Sequence, residues 1–494
     1  MAYKHGVEVS EVSTSILPPV AGSAGIPFIV GTAPVNMADV KNVNKPVLCN
    51  TYEEAVSAFG YVPPKLDSNS GLKKYEYTIS EFIHSQFALF GAAPCIIVNV
   101  LDPTSMNTST TANMVTLDNT TGEGIVEETG ILPASVIIGT GSYTVGTDYT
   151  LGFNEAGYLV ITSLKDGMGN WKVTTGSALS FSANKLTPSS VTDSQIIGGV
   201  DLNGKKSGFE LVNECFPRFR LVPGLLLAPG YSESPSVAAV MAAKAASINE
   251  HFKAIALIDA PTQNMGVDIQ YSDIPTWKNN NNIVDPLQVV CWPMVALDGV
   301  AYHLSTQLAG VIDIVDSENG DVPYVSHSNH NVQATASVLA SGAEVWLGPE
   351  TAAYLNGQGI VTALNFIGGW KAWGNRTACY PGNSDVKDAF IPVKRMFNWV
   401  GNSLIQTFWQ SVDAPLNRRL IDTVVDSANI WLNGLTARQY IIGGRVEFLD
   451  SENPTTDLMD GIARFHVYLT PASPAREIDF ILEYDPSYLA SLFG

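Results

Sequence analysis

Charged residues are scarce in this sequence. They make up 15% of the 494 residues, compared with roughly 25% in an average globular protein. Basic residues are the rarer kind, since 27 Lys and Arg stand against 47 Asp and Glu and give a formal net charge of −20. The densest basic groups are pairs such as Lys205-Lys206, Lys394-Arg395 and Arg418-Arg419. Because a nucleic-acid-binding surface needs a basic stripe, direct binding of DNA or RNA is not expected.

Cysteine and long apolar runs are also lacking. The five cysteines are far apart and lie mostly in apolar segments, a pattern typical of isolated reduced thiols in a core. No stretch of about 18 residues is free of charge, glycine and proline, so we expect no membrane span. The first residues do not combine a basic region with an unbroken apolar stretch, so we expect no signal peptide. The sequence indicates a protein of a cytosol-like compartment.

Buried strands that alternate with helices occupy two long parts of the chain. In the first part, strands are predicted at 26–30 and 94–100, and helices at 51–59 and 78–90. In the second part, strands are predicted at 225–228, 253–258, 289–292 and 344–347, and helices at 236–251 and 299–311. Unbroken apolar strands between helices are typical of a parallel sheet that is covered on both faces.

Between these parts, at about 105–206, the composition changes to Thr, Ser, Gly, Val and Ile. Short strands are predicted at 135–138, 149–153, 158–163 and 171–175, with turn sequences between them. Strands at this spacing indicate an all-β sandwich or small barrel. We therefore expect a β domain that is inserted into the α/β domain.

The last part combines helices with strands. Helices are predicted at 392–412 and 416–432, the second ending at Asn433-Gly434, and strands at 445–449, 463–470 and 476–484. The last strand places Ile478, Phe480 and Leu482 on one side and Glu477, Asp479 and Glu483 on the other. An apolar tip follows at 488–493, which is unusual unless it docks onto something.

The N-terminal residues show a similar short strand pattern. Val7 and Val9 alternate with Glu8 and Ser10, Val12 follows, and Pro18-Pro19 ends the segment. A brief isolated strand cannot bury its apolar side alone. We expect the strands at both ends of the chain to pair with something, and the edge of the chain's own sheet remains the simpler alternative.

No segment carries a convincing catalytic, metal or cofactor site. His327 and His330 lack nearby Cys, Asp or Glu partners, and the glycines of Ile138-Gly-Thr-Gly141 fit a hairpin turn better than a phosphate loop. Ser234 and Ser236 precede a helix but fit turn and N-cap roles better than that of a nucleophile. Asp259 and His251 keep an α/β hydrolase open as an alternative. We expect no catalytic residue, metal or cofactor.

Several segments together resemble the contractile phage tail sheath proteins. The similar segments are 5–12, 26–34, 221–230, 373–377, 390–395 and 474–480, which read HGVEVSEV, IPFIVGTAP, LVPGLLLAPG, WGNRT, FIPVKR and PAREIDF. Each segment is weakly specific alone, but the set runs in order over nearly the whole chain. The β-rich part is the least diagnostic.

The resemblance implies a fold and a division into domains. It implies a subtilisin-like parallel-sheet α/β core without the protease triad (21–104 plus 207–380), with an inserted β-sandwich (105–206). A C-terminal α+β domain that faces a tail tube (381–475) would follow, with extended arms at 1–20 and 476–494. The arms would add strands to sheets of neighbouring subunits, through Val7, Val9, Val12, Ile478, Phe480 and Leu482.

The resemblance also implies a mechanical function. Copies of the chain would stack as hexameric rings in a helical sheath around a tail tube, with baseplate and tail terminator proteins as further partners. Contraction would drive the tube through a host envelope. The protein would be assembled in the host cytoplasm and lie in the virion tail. Lys394, Arg395, Arg418 and Arg419 are candidates for tube contact, with solvated charges or internal salt bridges as the alternative. A surface-layer or adhesive structural protein remains open beside the hydrolase.

Overall fold

The computed structural model of the chain describes residues 22–493, apart from the side chains of Ala490 and Phe493. Its central feature is an eight-stranded sheet. The strands are β1 (Pro27–Gly31), β2 (Val47–Cys49), β3 (Cys95–Asn99), β4 (Leu225–Leu227), β5 (Ile255–Asp259), β6 (Gln288–Cys291), β7 (Ile360–Asn365) and β8 (Trp370–Trp373). Their order across the sheet is β2-β3-β1-β4-β5-β6-β7-β8. The fold is therefore a mixed α/β architecture.

The six inner strands of this sheet run parallel, and β2 and β8 pair antiparallel at its two edges. Every residue of β1, β3, β4, β5 and β6 is buried, so the predicted parallel sheet with two covered faces is confirmed. The strand predicted at 344–347 is wrong. Glu344 forms one isolated bridge with Val338, and Trp346 is 79% exposed because the chain turns there into the next helix.

Helices cover the sheet. They are α1 (Tyr52–Phe59), α2 (Thr78–Ile83), α3 (Pro235–Ala246), α4 (Ile274–Asn280), α5 (Leu304–Glu318) and α6 (Pro349–Asn356). A π-helical segment, His84–Phe90, extends α2. The ring of Phe90 packs against Gly310 of α5. A Cβ atom at position 310 would lie 2.3 Å from this ring, so only glycine allows so close an approach. The helix predicted at 299–311 begins later, because Val300–Tyr302 forms a strand.

A five-stranded sheet lies beside the central one. Its strands, in spatial order, are Ala336–Val338, Met294–Leu297, Val300–Tyr302, Lys73–Lys74 and Lys65–Leu66. Short helices lie at Asp193–Ile197, Cys215–Phe219, Val386–Ala389 and Thr455–Met459. None of the helices in the described range combines the length and apolarity needed to span a membrane.

The segment predicted to be all-β, 105–206, consists mainly of short antiparallel strands, but the prediction is wrong near its end, where the helix Asp193–Ile197 packs into the core around the central sheet. The strands are Asn107–Ser109, Met114–Thr116, Glu123–Val126, Ile137–Ile138, Tyr149–Phe153, Leu159–Ser163, Ala178–Ser182 and Asn184–Leu186. Leu117, Leu159 and Ile161 belong to a buried hydrophobic cluster that is separate from the one around the central sheet. The strand predicted at 171–175 is wrong, since Trp171 makes only an isolated bridge with Lys165.

The C-terminal part has two long helices, α7 (Ile391–Phe408) and α8 (Arg418–Ala437), and two strands, β9 (Ile441–Glu447) and β10 (His466–Pro471). These elements share a third buried cluster, which includes Trp399, Trp431 and Leu435. The helix end predicted at Asn433-Gly434 is wrong, because α8 continues for one turn and buries Leu435 completely. Residues 476–484 form no strand in this subunit, and a short 3-10 helix, Pro486–Phe493, follows them.

Candidate functional site

The antiparallel pair β9–β10 is joined by no third strand of the described chain, and its own pairing runs from Ile441 with Pro471 to Glu447 with His466. The outer edge of β10 therefore presents main-chain donors and acceptors without ladder partners. On the outer edge of β9, the side-chain amide of Asn429 from α8 already bonds to the N–H and the C=O of Val446. An open edge of this kind accepts an added strand from another chain.

The two faces of this pair differ in chemistry. Val446 and Val467 lie opposite each other and belong to the cluster formed with α7 and α8. On the other face, the guanidinium of Arg445 lies 3.8 Å from the centre of the Tyr468 ring and hydrogen-bonds to Glu447 at 2.8 Å. An added strand would thus meet an apolar face on one side and a charged, aromatic face on the other.

The C-terminal arm carries the complementary pattern and is unpaired. Ile478, Phe480 and Leu482 are 72%, 82% and 93% exposed, and no hydrogen bond joins residues 476–493 to the rest of the described chain. Ile481 interrupts the acidic side of the arm and is also exposed. Large apolar side chains held in water across a whole segment indicate a binding surface. The described residues do not include the N-terminal arm, so Val7, Val9 and Val12 lie outside them.

The four basic candidates for tube contact differ in exposure. Arg418 and Arg419 are exposed at the start of α8, and Arg418 pairs with Asp422 one turn along the helix. Lys394 is half-buried and donates to Asp388 at 2.7 Å. Arg395 is buried, so it has no surface to offer to a tube, and the expectation for this residue is corrected.

Arg395 instead holds an internal ion pair. Its guanidinium makes two hydrogen bonds to the Asp316 carboxylate on α5, where both side chains are buried, and a third to the carbonyl oxygen of Ala24 at 3.1 Å. The indole N–H of Trp399 donates to the carbonyl oxygen of Gly22 at 2.6 Å. Helix α7 thus fixes the chain just before β1, at the root of the N-terminal arm.

Sequence reasoning offered an internal salt bridge as the alternative for Arg395 but did not identify its partners, because they are far apart in the chain. Asp316 lies 79 residues before Arg395, and Ala24 lies 371 residues before it. A detectable signal is the position of Arg395 on the apolar side of α7, next to the buried Met396 and Trp399. A basic residue at such a position needs a buried partner.

A crevice at the carboxyl ends of the parallel strands is where a hydrolase would place its site. Asp259 ends β5 there, and the hydroxyl groups of Ser232 and Ser305 both donate to its carboxylate. His303 contacts Glu81 instead, with 2.9 Å between Nδ1 and Oε2. A serine nucleophile needs a hydroxyl that donates to the base. The serines here bond to the carboxylate, so the arrangement lacks the geometry of a catalytic triad.

The other hydrolase candidates are also engaged elsewhere. Ser234 and Ser236 both donate to Asp193, so their hydroxyls neither cap α3 nor approach a base. His251 is exposed, and its ring packs edge-on against Trp409. His327 is buried, which lowers its pKa to about 3. Among residues 22–493, no group of three or more His, Cys, Asp or Glu side chains could hold a metal ion.

The His303–Glu81 contact predicts a pH dependence of stability. Burial alone lowers the pKa of His303, but the carboxylates of Glu81, Asp259 and Glu233 outweigh it and raise the pKa from 6.5 to about 9. The folded state therefore binds this proton more tightly than the unfolded chain. The resulting stabilisation is full below pH 6.5 and is lost as the pH rises through about 9. The expected loss is about 2–3 kcal/mol.

Urea unfolding at several pH values between 6.5 and 9 measures this effect. Burial also raises the pKa of Asp313 to about 8. Every variant that keeps Asp313 therefore also loses stability as the pH rises, in the same direction as the His303 effect. The relevant quantity is the slope of the free energy of unfolding against pH. This slope should be shallower for His303→Gln than for the native chain. Equal slopes for the two proteins would contradict the prediction.

The fold and this surface define a class of protein, an α/β multidomain chain with an exposed apolar C-terminal arm and a two-stranded sheet that no third strand of the described chain joins. No family model matches the chain. The chain is 27% identical over its whole length to the tail sheath protein of Burkholderia phage BcepMu, of which it covers 99%. The resemblance to contractile tail sheath proteins that the sequence indicates is thereby confirmed.

Two solved structures share the fold. The sheath complex of the PVC extracellular contractile injection system, in its contracted state, superposes with a TM-score of 0.57 and 14% identity over 99% of both chains. The helical sheath of the anti-feeding prophage, also contracted, superposes with a TM-score of 0.55 and 15% identity, over 98% of this chain and the whole of the other. At these identities the superpositions establish a shared fold.

Proposed function

We propose that this chain is the structural subunit of a contractile tail sheath, which assembles helically around a tail tube and drives it through a host envelope. One observation carries the proposal. A chain related over its full length to a phage tail sheath protein exposes an amphipathic arm and offers an open sheet edge on β10 in the same subunit. A monomer leaves both features unsatisfied, whereas a helical array of identical copies satisfies them together.

Strand exchange is the proposed assembly contact. In the exchanged strand, Ile478, Phe480 and Leu482 would extend the apolar face that Val446 and Val467 form. Glu477, Asp479 and Glu483 would then lie on the face of Arg445, where opposite charges favour this register. The same reasoning assigns Val7, Val9 and Val12 of the N-terminal arm to the outer edge of β9, where Asn429 would have to release its hydrogen bonds to Val446.

The finer organisation follows the same proposal. Residues 21–104 with 207–380 form a subtilisin-like domain that carries no catalytic activity, 105–206 a β-sandwich on the outside, and 381–475 the tube-facing domain. The parallel central sheet and the three separate buried clusters support this division. The free energy of contraction comes from new contacts between subunits that move largely as rigid bodies, with 18–21 and 472–474 as hinges, because Gly22 is held by Trp399 and β10 extends to Pro471.

The proposed partners are further copies of the chain in stacked hexameric rings, a tail tube protein, and baseplate and terminator proteins at the two ends. The protein lies in the virion tail after assembly in the host cytoplasm. Arg418 and Arg419 remain the proposed tube-contacting residues, because both are exposed on the C-terminal domain. Their contact would be weak and sensitive to salt, as expected for exposed ion pairs.

Electron microscopy of the purified full chain in negative stain tests the proposal. We expect helical tubes or stacked rings whose amount rises with protein concentration. A chain that stays monomeric at high concentration, with its arm intact by mass spectrometry, would count decisively against a sheath subunit. A peptidase or esterase activity that depends on Ser232 or Ser305 would favour the hydrolase alternative instead.

A further inference from the structure

An apolar groove of about 700 Å³ lies between the two helices and the strand pair of the C-terminal part. Leu404 and Phe408 of α7 form one wall, Leu420 and Val424 of α8 form another, and Phe465 lies at the foot of β10. Phe408, Leu420 and Phe465 are half-buried, so apolar surface is left open to solvent. The groove is larger than an imperfection of packing, since protein cores hold few voids bigger than a water molecule.

The same chain contains an apolar segment without a partner. The helix that ends it, Pro486–Phe493, exposes 78% of Tyr488, 47% of Leu489 and 75% of Leu492. No hydrogen bond joins this helix to the body of the subunit within the described residues. Asp485-Pro486 separates it from the strand-forming residues 476–484. The tip is therefore a second element of the arm, with its own apolar surface.

We propose that the groove of one subunit binds the C-terminal tip, residues 488–493, of a second copy. This inference rests on the proposed strand exchange and deepens it. An exchanged strand that runs antiparallel to β10 brings the tip close to the groove, because Ala463, Phe465 and Val467 line the groove just before and at the beginning of β10. The strand supplies main-chain hydrogen bonds, and the tip supplies an apolar anchor that fixes the register.

The chemistry of the groove favours this occupant over a charged partner. Its wall residues are mainly aliphatic or aromatic, and its acidic members, Asp413 and Asp460, lie in the exposed loops at its rim. The tip has no charged side chain between Tyr488 and Leu492. An apolar segment has no polar hydration to lose when it enters this groove. A charged segment would lose its hydration without gaining an ionic partner.

Cross-linking between two single-cysteine variants tests the proposal. Ala463→Cys places a thiol in the groove, and Leu492→Cys places one on the tip, while the five native cysteines are buried. The two variants are mixed, assembled and treated with a short bismaleimide. We expect covalent dimers in the mixture and not in either variant alone. Met168→Cys, on the β insert, is the control partner that should not link to Leu492→Cys, although Met168 is more exposed (89%) than the half-buried Ala463.

Each outcome of this experiment decides a different point. Tubes that form without the Ala463–Leu492 cross-link would overturn the tip site and leave the sheath proposal intact. Failure of the unmodified chain to form tubes would count against the sheath itself. A cross-link within one chain that carries both substitutions, without dimers in the mixture, would show that the tip folds back into its own groove and would overturn exchange. Leu489→Asp changes the tip and leaves the sequence of the proposed strand, residues 476–484, as it is. This substitution is expected to weaken the Ala463–Leu492 cross-link.

Discussion

Deletion of residues 476–494 is expected to abolish tube formation and to leave a soluble, folded subunit. The described hydrogen bonds of residues 476–493 all lie within the arm itself, so removing the arm takes little from the stability of the monomer. In the assembly, each buried side chain of the size of Phe480 contributes roughly 1.5–3 kcal/mol. The main-chain hydrogen bonds of an added strand contribute about 0.5–1.5 kcal/mol each. The loss recurs at every subunit of a helical array.

A point substitution separates the apolar contact from the rest of the arm. Phe480→Asp should prevent assembly almost as completely as the deletion, because it places a charge against Val446 and Val467 at the proposed interface. Met168→Asp is the matched control, since Met168 is as exposed as the arm residues but lies on the β insert. Sedimentation and negative-stain microscopy give the assembled fraction, and thermal unfolding gives the stability of the subunit.

The arm prediction fails under one clear result. Truncated or Phe480→Asp protein that builds tubes of normal length and salt resistance would show that residues 476–484 are not the assembly strand. Deletion of residues 1–15 is the parallel experiment for the other arm. If both truncations assemble normally, subunit contacts must come from the body of the fold alone.

The sequence predicts those elements of this fold that depend on local pattern. Unbroken apolar runs identify β1, β3, β4 and β5 to within two or three residues, because a buried parallel strand needs apolar side chains on both faces. The β insert is evident from composition. The strand at 344–347 is wrong because a short apolar run does not distinguish a strand from a half-exposed loop, and Trp346 lies in the loop.

In the candidate site, too, local sequence pattern predicts one part and does not predict the rest. The alternation in 476–484 predicts a strand that must pair with something, and the resemblance places its partner in a neighbouring subunit. The structure contains an unpaired segment there. The groove and the Arg395 clamp depend on residues that are distant in sequence. Helix α7 brings Trp399 to Gly22 across 377 residues, and no local pattern reports such a contact.

Among Lys394, Arg395, Arg418 and Arg419, loss of the Arg395 guanidinium is expected to be the most destabilising single substitution. Arg395→Met removes both hydrogen bonds to Asp316 and leaves that carboxylate buried without its cation. Breaking a buried ion pair by removing one partner costs about 3–5 kcal/mol, because the remaining charge is uncompensated. The substitution also frees the carbonyl oxygen of Ala24, so the root of the N-terminal arm loses a fixed point. Thermal and urea unfolding of the monomeric arm-deleted chain measure the change.

Three comparisons make the result specific to the ion pair. Arg418→Met should leave the unfolding midpoint almost unchanged, because Arg418 is 86% exposed and its pair with Asp422 is a surface pair within one helix. Arg395→Lys keeps the charge but loses the two-pronged contact, so it should fall between the native chain and Arg395→Met. Adding Asp316→Leu to Arg395→Met removes the orphaned charge and should recover part of the loss. If Arg395→Met is as mild as Arg418→Met while tubes fail to form, Arg395 acts in assembly and the internal clamp is not its main role.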